Sequence, residues 1–163
     1  AGIVNICYCL DLPELPLKGN YNPLSYKLYY RDTGLLIASL DDEAQEDLRK
    51  NQNFNTYKGA IYENVIADCF VKQGYELYYY KNEKSTIEMD FFVRDANSVV
   101  PVEVKANDNA TVSLNRLIDD EKFKEIKYGI KFCNKNIGYN GKFYTFPYFC
   151  VFFLKRYILE CKI

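Results

Sequence analysis

The residues best suited to shared chemistry are Asp90 and, after twelve intervening residues, the triplet Glu103-Val104-Lys105. Two carboxylates brought to one point can hold a divalent metal, and a Lys beside them can meet a phosphate oxygen. Period-two alternation puts Glu88, Asp90 and Phe92 on one face of a strand over 87–93, with Ile87, Met89, Phe91 and Val93 on the other. On the next strand Val100, Val102 and Val104 form the apolar face, while Pro101, Glu103 and Lys105 point the opposite way. Paired as a hairpin, these strands would bring Asp90, Glu103 and Lys105 together on one side of a sheet. The same three residues also read as a cross-strand ladder of ion pairs, each exposed pair contributing under about 1 kcal/mol.

Glu-x-Lys alone says little, because it occurs again as Glu125-Ile126-Lys127 and Glu160-Cys161-Lys162. Only Glu103-Val104-Lys105 lies in a strand pattern that follows an acidic strand and precedes a helix. Glu63 is a fourth candidate. On a helix it borders the apolar stripe, about 100° from Tyr62, where it either leans toward the sheet edge or stays a solvated flank residue. The chain has no His. That excludes Ser-His-Asp and Cys-His sets and imidazole bases, leaving carboxylates, Lys, Tyr, Cys or a metal.

These residues must be positioned by the elements around them. From Gly59 onward, Tyr62, Val65, Ile66, Cys69 and Phe70 repeat at helical spacing, predicting an amphipathic helix that ends at Gly74. Strands are predicted over 76–81, 87–93 and 99–105, a helix over 113–125, and strands over 128–133 and 142–146. An apolar element of either type follows over 148–157. This order is α/β, with one mixed sheet covered on both faces. Before it, Pro13, Pro16 and Pro23 interrupt the chain, and Tyr26-Lys27-Leu28-Tyr29-Tyr30 alternates as a short strand. Asp32-Thr33-Gly34 makes a turn that can cap 35–40, and 41–50 reads as an exposed helix.

The 163 residues carry 21 basic and 22 acidic side chains, a net charge of -1, and are 48% hydrophobic, which suits an ordinary soluble globular domain. The balance hides an asymmetry. Residues 122–163 hold nine basic and two acidic side chains, +7, interleaved with twelve Phe and Tyr, and the remainder is -8. Such a mixture can contact phosphates and stack on bases, or it can be an aromatic core with a lysine rim. The six Cys include no Cys-x-x-Cys pair and lie mostly in apolar runs, as buried thiols of a reducing cytoplasm do. No apolar run approaches the roughly 20 residues of a membrane span, and no basic n-region precedes an apolar h-region at the start of these residues, so neither export nor membrane insertion is expected. It begins with Ala1-Gly2-Ile3-Val4, inside apolar structure, as a piece of a longer protein would.

Asp90, Glu103-Val104-Lys105 and Glu63 on a preceding helix resemble the signature of the PD-(D/E)XK nuclease superfamily. More closely, Tyr26-Lys27-Leu28-Tyr29-Tyr30-Arg31-Asp32-Thr33-Gly34-Leu35-Leu36, Lys58-Gly59-Ala60-Ile61-Tyr62-Glu63-Asn64, Glu88-Met89-Asp90-Phe91 and Val102-Glu103-Val104-Lys105 are similar to the uncharacterised C-terminal domain of prokaryotic AAA-type ATPases. The resemblance implies a restriction-endonuclease-like three-layer α/β/α core with a central mixed sheet over 59–163. It also implies a mainly helical N-terminal extension over 1–58 that links to an upstream P-loop ATPase module. No Gly-x-x-x-x-Gly-Lys-Ser/Thr occurs in these residues, so ATP would act only through that module.

By the same resemblance, Asp90 and Glu103 bind Mg²⁺ or Mn²⁺ with the main-chain carbonyl of Val104. Lys105 steadies the phosphate and orients the attacking water, and Glu63 holds a water of the ion's shell. Beside two carboxylates the pKa of Lys105 should stay high, which suits positioning and charge stabilisation better than proton abstraction. The expected function is metal-dependent phosphodiester hydrolysis of DNA by an endonuclease domain. The alternative is an inactive nuclease-fold module that binds nucleic acid or a protein partner and regulates the ATPase. No membrane partner is expected, and a homo-oligomer is left open.

Overall fold

The computed structural model describes residues 2–52, 54–84, 86–108 and 110–161. Alternation begins at once. Strand β1 (Val4–Leu10) buries Asn5, Cys7 and Cys9 on one face and leaves Val4 and Ile6 exposed on the other. Strand β2 (Tyr21–Tyr30) returns antiparallel to it, with Cys7 opposite Lys27 and Asn5 opposite Tyr29. Two short helices follow, each started by an aspartate. The Asp32 carboxylate accepts the Gly34 N–H at the head of α1 (Thr33–Ala38), and that of Asp41 accepts the Ala44 N–H at the head of α2 (Asp42–Arg49).

Helix α3 (Phe54–Lys72) buries Ile66, Cys69 and Phe70 of the predicted stripe together with Ala67, leaves Tyr62 and Val65 half-buried, and starts five residues before Gly59. It ends where Gly74 adopts φ +85°, a left-handed conformation that suits glycine and lets the Tyr75 N–H reach the Phe70 carbonyl. Next come β3 (Leu77–Lys81), β4 (Glu88–Met89), β5 (Phe91–Arg94) and β6 (Val99–Val104). Helix α4 (Val112–Asp119) leads to β7 (Gly129–Cys133), β8 (Gly138–Tyr139) and β9 (Phe143–Pro147). The element at 148–157 is helical, a 3-10 turn at Tyr148–Phe153 running into α5 (Leu154–Cys161).

Among the described residues the fold is mixed α/β, with five α-helices and two mixed sheets in place of the single sheet expected. The first has the order β2-β1-β3-β4 and the second β5-β6-β7-β9-β8. The cause is local. The predicted strand over 87–93 breaks at Asp90, so that β4 pairs with β3 while β5 pairs with β6. The break also resets the alternation. Phe91 and Val93 join the cluster packed on α3, whereas Met89, expected on their face, packs with Phe92 in the cluster that includes Leu114 and Leu117 of α4.

Two further expectations are corrected. Residues 1–58 do not form a mainly helical extension: β1 and β2 are half of the first sheet, β1 is parallel to β3, and position 58 falls inside α3. Helix α4 stops at Asp119 rather than at 125. Asp120 turns extended, its side chain and carbonyl accept the N–H groups of Lys122 and Phe123, and the resulting turns drive Phe123 and Ile126 into the second cluster.

Candidate active site

The strands β5 and β6 pair as Phe91↔Val102, Phe92↔Pro101 and onward. Continued one step the other way, that register would set Asp90 opposite Glu103 and Met89 opposite Val104. Instead β4 pairs with β3, so the two sheets part at Asp90, and the notch is this junction between them. The Asp90 carboxylate takes over the hydrogen bond that a neighbouring strand would have made, accepting the Val104 N–H at 2.7 Å. Asp90 is thus tied to the Glu103-Val104-Lys105 segment through Val104, the residue whose carbonyl was expected beside a metal.

Glu103 lies on the far side of β6 from Val102 and is 3% exposed. Its Oε1 accepts from Lys105 Nζ at 2.8 Å, and its Oε2 is buried with no hydrogen-bond partner among the described residues. Opposite it in register on β7 stands Lys131, itself buried and bonded to Asp108 at 2.7 Å. The Lys105 main chain is fixed from both sides, its N–H donated to the Phe132 carbonyl and its own carbonyl accepting the Tyr148 hydroxyl at 2.5 Å. The Tyr148 ring stacks on Tyr62 with centroids 4.0 Å apart, and it walls a cavity of about 620 Å³ that includes Asn134, Lys135 and Phe149.

Glu63 reaches the notch from α3. Its neighbour Asn64 clamps that helix to β2, accepting the Tyr30 N–H at 2.7 Å and donating to the Tyr30 carbonyl at 3.0 Å. The clamp sets Tyr29 against Glu63, where the phenol donates to Oε1. Lys27, two residues back on the same strand face, lies 3.6 Å from that oxygen and 2.8 Å from Glu88 Oε1. Its ammonium also sits 4.9 Å from the centre of the Tyr79 ring.

The electrostatics follow from this crowding. Burial and the nearby Glu63 push the Asp90 carboxyl up to about 7, against the opposing pull of the Val104 N–H and Lys27. Burial raises Glu103 as well, countered in part by Lys105 and Lys131. Burial alone would lower Lys105, but the hydrogen bond and charge of Glu103, with Asp90 and Glu63 behind it, carry its pKa above the ordinary lysine value. A raised pKa keeps Lys105 charged near neutral pH, which suits charge stabilisation better than proton abstraction. Lys27 is raised in the same way by Glu63, Glu88 and Asp90, and Tyr29 stays protonated through its burial beside Glu63.

A divalent cation fits this donor set. The available ligands are oxygens, one of them a buried carboxylate oxygen with no hydrogen-bond partner among the described residues, and Asp90 is raised by burial and by the nearby Glu63. Among the described residues no three His, Cys, Asp or Glu side chains are grouped to form a metal cage of side chains alone. Asp90 and Glu103 would therefore need main-chain oxygen and water to complete a shell, as Mg²⁺ sites do.

The expected Asp90, Glu103 and Lys105 thus meet at one notch, with Glu63 at its border. The other two Glu-x-Lys triplets are elsewhere: Glu125 accepts the Leu15 N–H at 2.6 Å and Glu160 pairs with Arg156 at 2.8 Å. Lys27, Tyr29, Asn64, Lys131 and Tyr148 escaped notice. For Lys27 and Tyr29 a signal existed, since they lie in the same alternating run and on the same face as each other. The aromatic and basic C-terminal region divides. Phe123, Phe132, Phe143 and Phe146 are core, while Phe149, Phe152 and Phe153 are exposed. Several of its cations are tied locally, Lys142 to Asp119 and Lys135 to Asp108 among them. Cys7, Cys9, Cys69, Cys133 and Cys150 are free thiols, and all but Cys150 are buried. Among the described residues no helix is long and apolar enough to cross a membrane.

No curated protein and no solved structure matches the chain. A family match does span residues 58–150, more than half of the chain, and it contains α3 from Lys58 onward with Glu63, the Asp90 break, all of β6 and Lys105, but not β1 or β2. By that match the chain belongs to the family described as a domain of unknown function, DUF4143.

Proposed function

We propose that the notch is a metal-dependent phosphodiesterase site of the PD-(D/E)XK type acting on DNA, in a domain coupled to an upstream ATPase module. The observation that carries this reading is the buried, unpartnered Oε2 of Glu103 beside Asp90, with the Lys105 ammonium 2.8 Å from the other Glu103 oxygen. A buried carboxylate oxygen without a partner costs several times what a typical hydrogen bond contributes, so its retention calls for a ligand.

Asp90 and Glu103 would hold Mg²⁺ or Mn²⁺, with the main-chain carbonyl of Val104, whose N–H already binds Asp90, as a further candidate ligand. The bound cation supplies Lewis acidity, lowering the pKa of water and offsetting charge on the phosphate. Lys105, a fixed cation anchored through its backbone by Tyr148 and Phe132, binds a non-bridging phosphate oxygen and stabilises the added charge as the phosphorus becomes five-coordinate. Glu63, oriented by Tyr29 and Lys27, would hold a water of the ion's shell by hydrogen bonding, while Lys105 orients the attacking water. The Tyr62–Tyr148 stack and exposed Phe149 offer flat surfaces for bases near Lys105.

Incubating the protein with plasmid and linear DNA in Mg²⁺ or Mn²⁺, beside Glu103→Ala and Lys105→Ala, tests this. Cleavage that both substitutions abolish is expected; cleavage that survives both would assign it to a contaminant. A second reading, an inactive nuclease-fold module that binds nucleic acid or a partner protein, is favoured by the Glu103–Lys105 pair, which satisfies part of the site internally. DNA binding that weakens steeply with salt, without hydrolysis in any metal, would establish it.

A further inference from the structure

The notch has two acidic halves, and they are treated differently. Asp90 and Glu103 present a buried oxygen with no partner. Glu63 and Glu88 are bridged by the Lys27 ammonium, 3.6 Å from one and 2.8 Å from the other. The Glu63 oxygen nearest Lys27 also accepts the Tyr29 hydroxyl. Two-metal hydrolytic sites keep their ions roughly 3.5–4 Å apart, bridged and flanked by carboxylates. In this notch the carboxylates a second ion would need already share a cation, held by β2 over the Tyr79 ring.

We infer that Lys27 is a built-in cation standing in the place of a second metal, so that the notch takes one divalent ion, at Asp90 and Glu103. This rests on the metal reading given above and adds to it a count and a residue. It also gives the segment before residue 58, outside the family match, a direct part in the site. An ammonium is suited to the role: it is compact, its three donors replace the attraction of an ion for carboxylate oxygens, and its side chain is only 29% exposed. Because the charge is covalently attached, the Glu63 half stays balanced whether or not metal is present.

The test is the number of Mn²⁺ ions bound per chain, read by titration calorimetry and by electron paramagnetic resonance of free Mn²⁺, for wild type, Lys27→Met and Lys27→Arg. One ion is expected on wild type and on Lys27→Arg. Lys27→Met is expected to bind two and to hold the first several-fold more tightly. Lys27→Gln provides a second neutral variant should Lys27→Met fail to fold, and the wild-type count stands independently of either. Two ions on wild type, or one on every variant, would overturn the inference and leave the metal reading intact. No Mn²⁺ on any of them would overturn the metal reading, and the inference with it.

Discussion

The two halves of the notch differ in how their charge is settled. On the side of the first sheet, Glu63 and Glu88 are answered from within the chain, by Lys27 and by the Tyr29 hydroxyl. On the side of the second sheet, Asp90 accepts one main-chain N–H and Glu103 pairs with Lys105 and faces Lys131, yet among the described residues one buried Glu103 oxygen is left without a hydrogen bond. A structural ion-pair network closes on itself, as the first half does. An unbalanced buried carboxylate persists when something outside the chain balances it, which is why the second half reads as a binding site.

Removing the unbalanced side should have the largest effect. Loss of an outer partner commonly costs 10–100-fold in metal affinity, so Glu103→Gln, which removes a ligand itself, should weaken Mn²⁺ binding by at least about 100-fold in a calorimetric titration. The fold should persist, because Gln keeps a hydrogen bond to Lys105 and no longer buries a charge.

The clamp between the halves comes next. Asn64→Ala leaves both the N–H and the carbonyl of Tyr30 without their partner and should destabilise the protein by about 2–3 kcal/mol in denaturant unfolding. It should also disturb Glu63 far more than Glu103.

Protons sharpen the contrast further. Asp90 is raised to about 7 in the folded chain, while its unfolded value is about 4. The folded state thus binds the proton more tightly. The stabilisation from that proton is present below pH 4, declines as pH rises toward 7, and is gone above. Raised Glu103 acts in the same direction, whereas Glu88, lowered by its hydrogen bond to Lys27, loses its contribution only on acidification below the ordinary carboxylate range. Metal-free wild type should therefore lose stability relative to Asp90→Asn between pH 4 and 7. Mn²⁺ affinity should rise by up to about tenfold per pH unit over the same range and flatten above pH 7.

The smallest effect belongs to the balanced half. Tyr29→Phe removes one hydrogen bond to a carboxylate and should cost about 1–2 kcal/mol of stability while changing Mn²⁺ affinity less than threefold. A large loss of affinity instead would mean that the halves are not separate.

Much of the unbalanced half was legible in the residues. Period two placed Val100, Val102 and Val104 together in one core and set Glu103 and Lys105 apart from them, and α3 buried Ile66, Cys69 and Phe70 of the stripe its spacing predicts. The balanced half was not legible, because it depends on pairings between segments far apart in the chain: nothing local says that Cys7 will face both Lys27 and Leu77, or that Asn64 will hold Tyr30. The break at Asp90 was hidden for a different reason. Alternating apolar residues on both sides of it are compatible with one continuous strand, and only the competition between β3 and β6 for that strand divides it.

The central claim is that Asp90 and Glu103 form a site for one divalent ion. Crystals of the wild-type protein grown or soaked in Mn²⁺, with data collected at the manganese edge, test it most directly. The account predicts a single anomalous peak within ligand distance of Asp90 and Glu103, with Lys27 still bridging Glu63 and Glu88. An empty notch at saturating Mn²⁺, or a peak between Glu63 and Glu88, would contradict it.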